Sequence, residues 1–302
     1  MKIYWYCPDT VNESFKNPTD NPSFRLRCWS IHNELLNDGY ASKIVNNTSE
    51  INDPDIIVLM SFGEEEYNLA KWAVSKNKSV IHDYSENIRG IPILEETKSL
   101  CKYIVCCSTV LGEYERYYYG DKVIVVKDII EEFPVKHNIN YTNKKLKVVW
   151  SGMSGNTYTI DNFLKEEIIN NGMDFIEISN REFSNYTWDI NTWYHYMASC
   201  DICICPHLHW LFPAKSNVKV TTAMALGLPV IASPIQSYEE VIDSGVNGFI
   251  CDSFDAWTSS LNLLKSKELR CQFVNESYKK LEPYKLENIY KEWKNVFKKC
   301  LE

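Results

Sequence analysis

No apolar run in the 302-residue chain approaches the ~18 residues needed to cross a bilayer, so the sequence contains no membrane span. The opening Met1-Lys2-Ile3-Tyr4-Trp5-Tyr6-Cys7-Pro8 is too short and too aromatic to read as a secretory leader, and a cytoplasmic location is expected. An excess of positive charge is also missing. The 32 basic and 40 acidic side chains leave a net charge of −8, which gives no global attraction to nucleic acid or anionic lipid. A nucleic-acid partner would need a local basic patch, so the balance argues against one without excluding it. There is no internal repeat of about 20–50 residues and no low-complexity tract. Hydrophobic residues at 45% and charged residues at 24% exclude a disordered or fibrous chain. At roughly 150 residues per domain, the length fits two domains.

Eleven cysteines are present, but no spaced CxxC pair. The count is odd, and Cys106-Cys107, Cys203, Cys205 and Cys251 lie inside apolar runs, where they read as buried hydrophobes rather than bridges. Cys200, Cys203, Cys205, His207 and His209 have the ligand types of a zinc site. Ile202–Cys205, however, reads as a strand, and alternating side chains on one strand cannot fold into a tetrahedral cage. Asp53-Pro54-Asp55 has DxD spacing but precedes a strand, so it reads as a turn. No metal ligand is assigned.

What the sequence does contain is an alternation of short apolar runs with helical patterns from end to end, the signal of an α/β protein with parallel sheets. Strands are expected at Lys2–Tyr6, Ala41–Val45, Ile56–Met60, Ser79–Ile81, Tyr103–Cys107 and Val123–Val126. A second set is expected at Lys147–Trp150, Phe175–Ser179, Ile202–Cys205, Val230–Ala232 and Gly248–Ile250, after a polar linker at His137–Lys145. Phe24–Asp38 reads as one helix ending at Gly39. Leu286–Cys300 places Leu286, Ile289, Tyr290, Trp293, Val296 and Phe297 on one face at helical spacing. The expected domains are residues 1–140 and 141–302, both Rossmann-like.

Residues 201–250 are the most informative. A strand ending at Pro206 leads to Lys215-Ser216-Asn217-Val218-Lys219, where Ser216 or Asn217 can cap a helix that stops at Leu226-Gly227. The amides of a helix start form an anion site, and Lys215 and Lys219, four residues apart, can both lean over it. Backbone donors and two ammonium groups suit a pyrophosphate. An ordinary βαβ unit with solvated lysines fits the spacing equally well. Gly152-Met153-Ser154-Gly155-Asn156 follows a strand, so its amides can approach a phosphate or sugar closely, or simply form a βα turn. His82, Asp83 and Glu86 follow the strand Ser79–Ile81, where a carboxylate either takes a proton or caps a helix. Arg25 and Arg27 sit near a helix start, where one can reach the cleft but solvation is the commoner fate; Tyr114, Tyr117, Tyr118 and Tyr119 can stack on a base or sugar ring but read better as packed.

Thr222-Ala223-Met224-Ala225-Leu226-Gly227-Leu228-Pro229-Val230-Ile231-Ala232, followed by Glu239-Glu240-Val241-Ile242 and Gly245-Val246-Asn247-Gly248, resembles the donor-binding half of GT-B glycosyltransferases. The resemblance is to the large retaining family that includes sucrose and glycogen synthases and bacterial glycan transferases. It implies two Rossmann-like domains facing across a cleft, with the last helix, at about residues 286–300, crossing back to the N-terminal domain. Residues 1–140 would then face the acceptor and residues 141–302 the donor. The donor would be held by Gly152, Ser154, Gly155, Lys215, Ser216, Asn217, Lys219, Thr222, Glu239 and Glu240. Glu239 or Glu240, at the start of a helix, would take the ribose hydroxyls. His82, Asp83, Glu86 and Lys219 are the catalytic candidates. Two family glutamates are replaced by Ala214 and Thr222, and the family's basic pair after the first strand of the second domain has no counterpart in Gly152–Asn156.

The function implied is retaining transfer of a sugar from a nucleotide-diphosphate sugar, UDP in preference to GDP, to a hydroxyl acceptor. Neither a cofactor nor a metal is required. A DNA glycosyltransferase acting on hydroxymethylated bases and an inactive transferase-fold binding module are the alternatives.

Overall fold

The computed structural model describes residues 1–8, 17, 20–85, 88, 90–138, 143–161, 164–207 and 214–302. Two compact units divide the chain. The first comprises Met1–Ile129, Ala214–Ser216 and Tyr284–Glu302; the second comprises Ile130–Pro213 and Asn217–Pro283.

In the first unit, β1 (Lys2–Tyr6), β2 (Ala41–Val45), β3 (Ile56–Leu59), β4 (Ser79–Tyr84), β5 (Tyr103–Cys106) and β6 (Val123–Val125) form one sheet. Its order is β2-β1-β3-β4-β5-β6, and every pair is parallel. Helices α1 (Ser30–Asn37), α2 (Glu64–Ser75), α3 (Pro92–Leu100) and α4 (Thr109–Tyr119) make the crossovers. Such strands are covered on both faces, which is why Ile56–Leu59 is apolar throughout and fully buried. The chain passes from β1 to β2 on one side and returns to β3 on the other. The ligand crevice of this sheet therefore lies beyond the carboxyl ends of β1 and β3.

Three elements of this unit differ from expectation. The segment before α1 winds as a π-helical stretch over Phe24–Trp29. Strand β4 continues through His82, Asp83 and Tyr84, which pair in register with Ile104, Val105 and Cys106. On α4, Tyr114, Tyr117 and Tyr118 are exposed rather than packed, Tyr117 at 84%.

In the second unit, β7 (Lys147–Ser151), β8 (Asp174–Ser179), β9 (Tyr186–Thr187), β10 (Ile202–Cys205), β11 (Val230–Ala232) and β12 (Phe249–Ile250) form another all-parallel sheet. The order is β12-β11-β10-β7-β8-β9, which puts the crevice at the carboxyl ends of β7 and β10. The helices are α5 (Tyr158–Asp161), α6 (Leu164–Asn170), α7 (Trp193–Ala198), α8 (Val218–Ala225), α9 (Gln236–Glu239), α10 (Phe254–Leu263) and α11 (Lys267–Lys280). Val148, Trp150, Ile202, Ile204, Ile231, Leu261 and Phe273 are at the heart of its core. The polar stretch after Ile129 is anchored here: the His137 amide donates to the Leu226 carbonyl at 2.7 Å, and Asn143 Nδ2 to Asp201 at 2.7 Å.

The chain then returns to the first unit as α12 (Leu286–Leu301). Its apolar face meets β1, with Trp293 edge-on to Trp5 at 5.4 Å and stacked on Phe297 at 5.4 Å. Tyr290 Oη donates to Asp38 at 2.8 Å, and Ser79 Oγ to the Cys300 carbonyl at 2.7 Å. The expected return of the last helix is thus present. All eleven cysteines are free thiols, and Cys106, Cys107, Cys203, Cys205 and Cys251 are buried.

Candidate functional site

In the second unit the carboxyl end of β7 and the first turn of α8 come together. Gly152 follows β7 directly, and its amide donates to the Ile178 carbonyl at 3.1 Å, drawing the turn against β8. A Cβ at residue 152 would lie 2.6 Å from the Trp150 ring and 3.0 Å from Lys219 Nζ. The absent side chain makes room for the Lys219 ammonium, which lies 5.4 Å from the Trp150 ring centroid. Trp150 is buried and Lys219 half-buried, so the cation is held at the surface end of the sheet by a fixed aromatic ring.

Asn217 precedes α8, and its buried side chain donates to the Ser237 carbonyl at 3.2 Å rather than capping the helix. The positive end of the α8 dipole and the Lys219 charge therefore share one location. Ser154 opens a short 3-10 turn, its amide donating to Asn180 Oδ1 at 2.7 Å, and Gly155 beside it faces open space. Thr222, one turn along α8 from Lys219, is half-buried.

Glu239 and Glu240 end α9 instead of starting a helix, because the turn already begins at Gln236 after an extended Ile235. Glu239 is exposed, whereas both carboxylate oxygens of Glu240 are shielded from solvent.

The remaining candidates lie in the first unit. Lys215 is exposed, and the Ser216 hydroxyl donates to Asp128 Oδ2. Ala214 is buried in the core beside Tyr84, Leu94 and Ile104.

His82 is buried in β4, with Nε2 3.1 Å from the Ser61 carbonyl. Burial, reinforced by the Lys98 charge, pushes its pKa down to about 4, so the ring is neutral at physiological pH. Asp83 projects to the other face and meets Arg27, which contacts both carboxylate oxygens with Nε at 3.0 and 2.9 Å. Burial raises the Asp83 carboxyl against the opposing pull of that guanidinium. Glu86 lies outside the described residues, as does His209.

Arg27, read from sequence as solvated, is 1% exposed. It also donates to the Val126 carbonyl at 2.9 Å and to Asp128 at 2.8 Å. Asp128 carried no local signal, since its role depends on an arginine far away in sequence. Among the described residues, no group of three or more His, Cys, Asp or Glu is placed to hold a metal ion.

Residues 142–265, which contain β7, Lys219 and α8, match the family model of the glycosyl transferases, group 1. That match covers less than half of the chain, and the fold around it is GT-B. A glycosyltransferase of Haemophilus influenzae, itself uncharacterized, is 28% identical over 165 residues, spanning 52% of this chain and 40% of that protein. This chain thus matches well under half the length of that curated relative. Among solved structures, Anabaena HepE in complex with UDP superposes with a TM-score of 0.67 at 11% identity, covering 99% of this chain and 100% of HepE. Sucrose-phosphate synthase from Thermosynechococcus elongatus gives 0.68 at 11% identity, with 99% of each chain covered. These likenesses establish the fold of the chain; its site rests on its own residues.

Proposed function

We propose that this chain is a retaining glycosyltransferase that moves a sugar from a UDP-sugar to a hydroxyl acceptor. The observation that carries this reading is the Lys219 ammonium seated on the Trp150 ring in the first turn of α8, at the carboxyl end of β7. A diphosphate there would meet a full positive charge and a helix dipole together. As the sugar–phosphate bond breaks, negative charge grows on the leaving UDP, and a preoriented cation stabilises it more in the transition state than in the ground state. The occurrence of UDP in HepE supports the choice of nucleotide.

In this reading residues 141–302 serve the donor and residues 1–140 the acceptor. Gly152, Ser154 and Gly155 border the diphosphate, while Lys215, Ser216, Asn217 and Thr222 flank or support α8. Glu240, with its shielded carboxylate, suits ribose hydroxyls better than the exposed Glu239. His82, neutral and buried in β4, would back the acceptor side from beneath rather than touch the acceptor. With Lys219 supplying the charge, turnover is expected to persist in EDTA.

Ala214 and Thr222 favour a second reading, a transferase fold that binds nucleotide without turnover, since neither can replace a carboxylate. Mass spectrometry of products from a panel of nucleotide sugars and hydroxyl acceptors, hydroxymethylated DNA included, tests the proposal. A new glycoside with retained anomeric configuration supports it. UDP binding with neither transfer nor donor hydrolysis establishes the second reading instead.

A further inference from the structure

In the first unit a cavity of about 510 Å³ lies between the turn that follows β2 and α2. That is within the roughly 300–1,000 Å³ of small-molecule sites. Local sequence builds both walls. After β2 ends at Val45, Asn47 Oδ1 accepts the Ser49 amide at 2.9 Å and winds Thr48–Glu50 into a 3-10 turn. Further on, the Asn52 carbonyl takes Lys2 Nζ at 2.6 Å and Tyr4 Oη at 3.2 Å, which ties this segment to β1. The opposite wall is α2, where Glu65, Asn68, Leu69 and Trp72 recur at three- and four-residue spacing and so share one face.

The lining has a definite chemistry. Leu69 and Ile51 join the core around Tyr4 and Tyr6 and give the cavity an apolar base. Trp72 lines it while remaining 38% exposed, a large aromatic side chain that the core does not absorb. Glu65 is tied to a fully buried partner, Tyr6, whose Oη donates to Glu65 Oε2 at 2.5 Å. This bond fixes the carboxylate before any ligand arrives. Thr48, Ser49 and Asn68 add two hydroxyls and an amide, which donate and accept alike. Among the described residues that line the cavity there is no lysine or arginine, and the one formal charge is that of Glu65.

These groups exclude most ligand classes. A phosphate, a nucleotide or an anionic headgroup would meet a carboxylate and no cation. An alkylammonium would use Trp72 and Glu65 but leave the hydroxyls and the amide idle, and the aromatic cage that favours such cations needs more than one ring. A sugar satisfies every group. Its C–H face packs on an indole, and its neighbouring hydroxyls donate to a carboxylate and exchange hydrogen bonds with amide and hydroxyl side chains.

We propose that this cavity is a binding site for an uncharged saccharide, stacked on Trp72 and hydrogen-bonded through its hydroxyls to Glu65 and Asn68. The proposal rests on the cavity and not on the donor reading of Lys219, which belongs to the other unit. It gives the first unit a hold on carbohydrate of its own.

The test is saturation-transfer NMR on the full chain with maltose, cellobiose, lactose and diacetylchitobiose, and with choline and UDP as separate probes. At least one disaccharide should bind, with a dissociation constant in the millimolar range set by one stacked ring and a few hydrogen bonds. Trp72→Ala should weaken that binding about tenfold, and Trp72→Phe should retain most of it. Glu65→Gln, which keeps the shape and removes the charge, should cost about fivefold. The melting temperature and the UDP affinity should stay at their wild-type values in all three. Absence of transfer to all four disaccharides, or binding that survives both Trp72→Ala and Glu65→Gln, would overturn the proposal. So would saccharide binding lost in Lys219→Met but kept in Trp72→Ala, which would put the sugar at the donor site, and so would binding of choline alone. A wild-type protein that binds a disaccharide through Trp72 but does not bind UDP would support this proposal while overturning the donor reading.

Discussion

The ammonium of Lys219 lies 5.4 Å from the centre of the Trp150 ring, and a Cβ on Gly152 would reach within 3.0 Å of the same nitrogen. The three residues fit one another: the ring orients the cation, and the gap at Gly152 admits it.

On the proposed donor reading, Lys219→Met should lower kcat/KM for the UDP-sugar by about 10²–10³, the usual effect of removing one preorganised charge from a transition state. Lys215→Met, at an exposed position, should cost far less. Steady-state UDP release, with melting curves to confirm the fold, decides it; a Lys219→Met enzyme of normal kcat/KM would refute the role.

Gly152→Ala tests the gap itself. The new methyl would stand 2.6 Å from the buried Trp150 ring, which has no flexible end to swing aside. Destabilisation of about 1–3 kcal/mol is expected from overpacking. UDP affinity should fall as Lys219 is pushed away. Thermal melting and nucleotide titration read the two effects separately, and unchanged values in both would contradict the geometry.

Trp293→Ala removes a fully buried ring that contacts Trp5 and Phe297. A loss of about 3–5 kcal/mol is expected, and Trp293→Phe should recover part of it. Denaturant unfolding is the measurement; a loss under 1 kcal/mol would mean that α12 does not bury this face in solution.

His82 gives a pH dependence of definite sign. Its folded pKa, about 4, lies below the ordinary histidine value of 6.5, so the unfolded chain takes up a proton first as pH falls. The contribution is complete above pH ~6.5 and is lost progressively towards pH ~4, amounting to roughly 3 kcal/mol. In urea titrations between those pH values, His82→Gln should show a shallower fall in stability than the wild type. Parallel curves would show that this histidine titrates normally.

How far the sequence discloses this arrangement varies from residue to residue. Apolar runs such as Ile56–Leu59 and Ile202–Cys205 declare their strands because both faces of a parallel sheet are covered. The helix at Val218 and its lysine were legible for the same kind of reason: start, period and stop are local. Strand β4 was cut short at Ile81 because His82 and Asp83 look like solvent-facing residues. Their burial depends on Arg27 and Ser61, which no local pattern connects to them. Asp128 was invisible on the same grounds. Glu239 and Glu240 were placed one turn too early in their helix, since Ile235 and Gln236 give no strong start signal. Tyr117 and Tyr118 were assigned to packing by residue type, yet their side of α4 has no covering element among the described residues.

The pairing of Trp5 with Trp293 also bears on how this chain is made. Trp5 leaves the ribosome long before Trp293, its cover in α12, is made. At ~5–20 residues per second, that face of β1 waits roughly 15–60 s for its partner. During synthesis the first sheet is therefore an unfinished one, with an apolar strand open to chaperones or to neighbouring nascent chains, while the sheet of the second unit can close on residues already made.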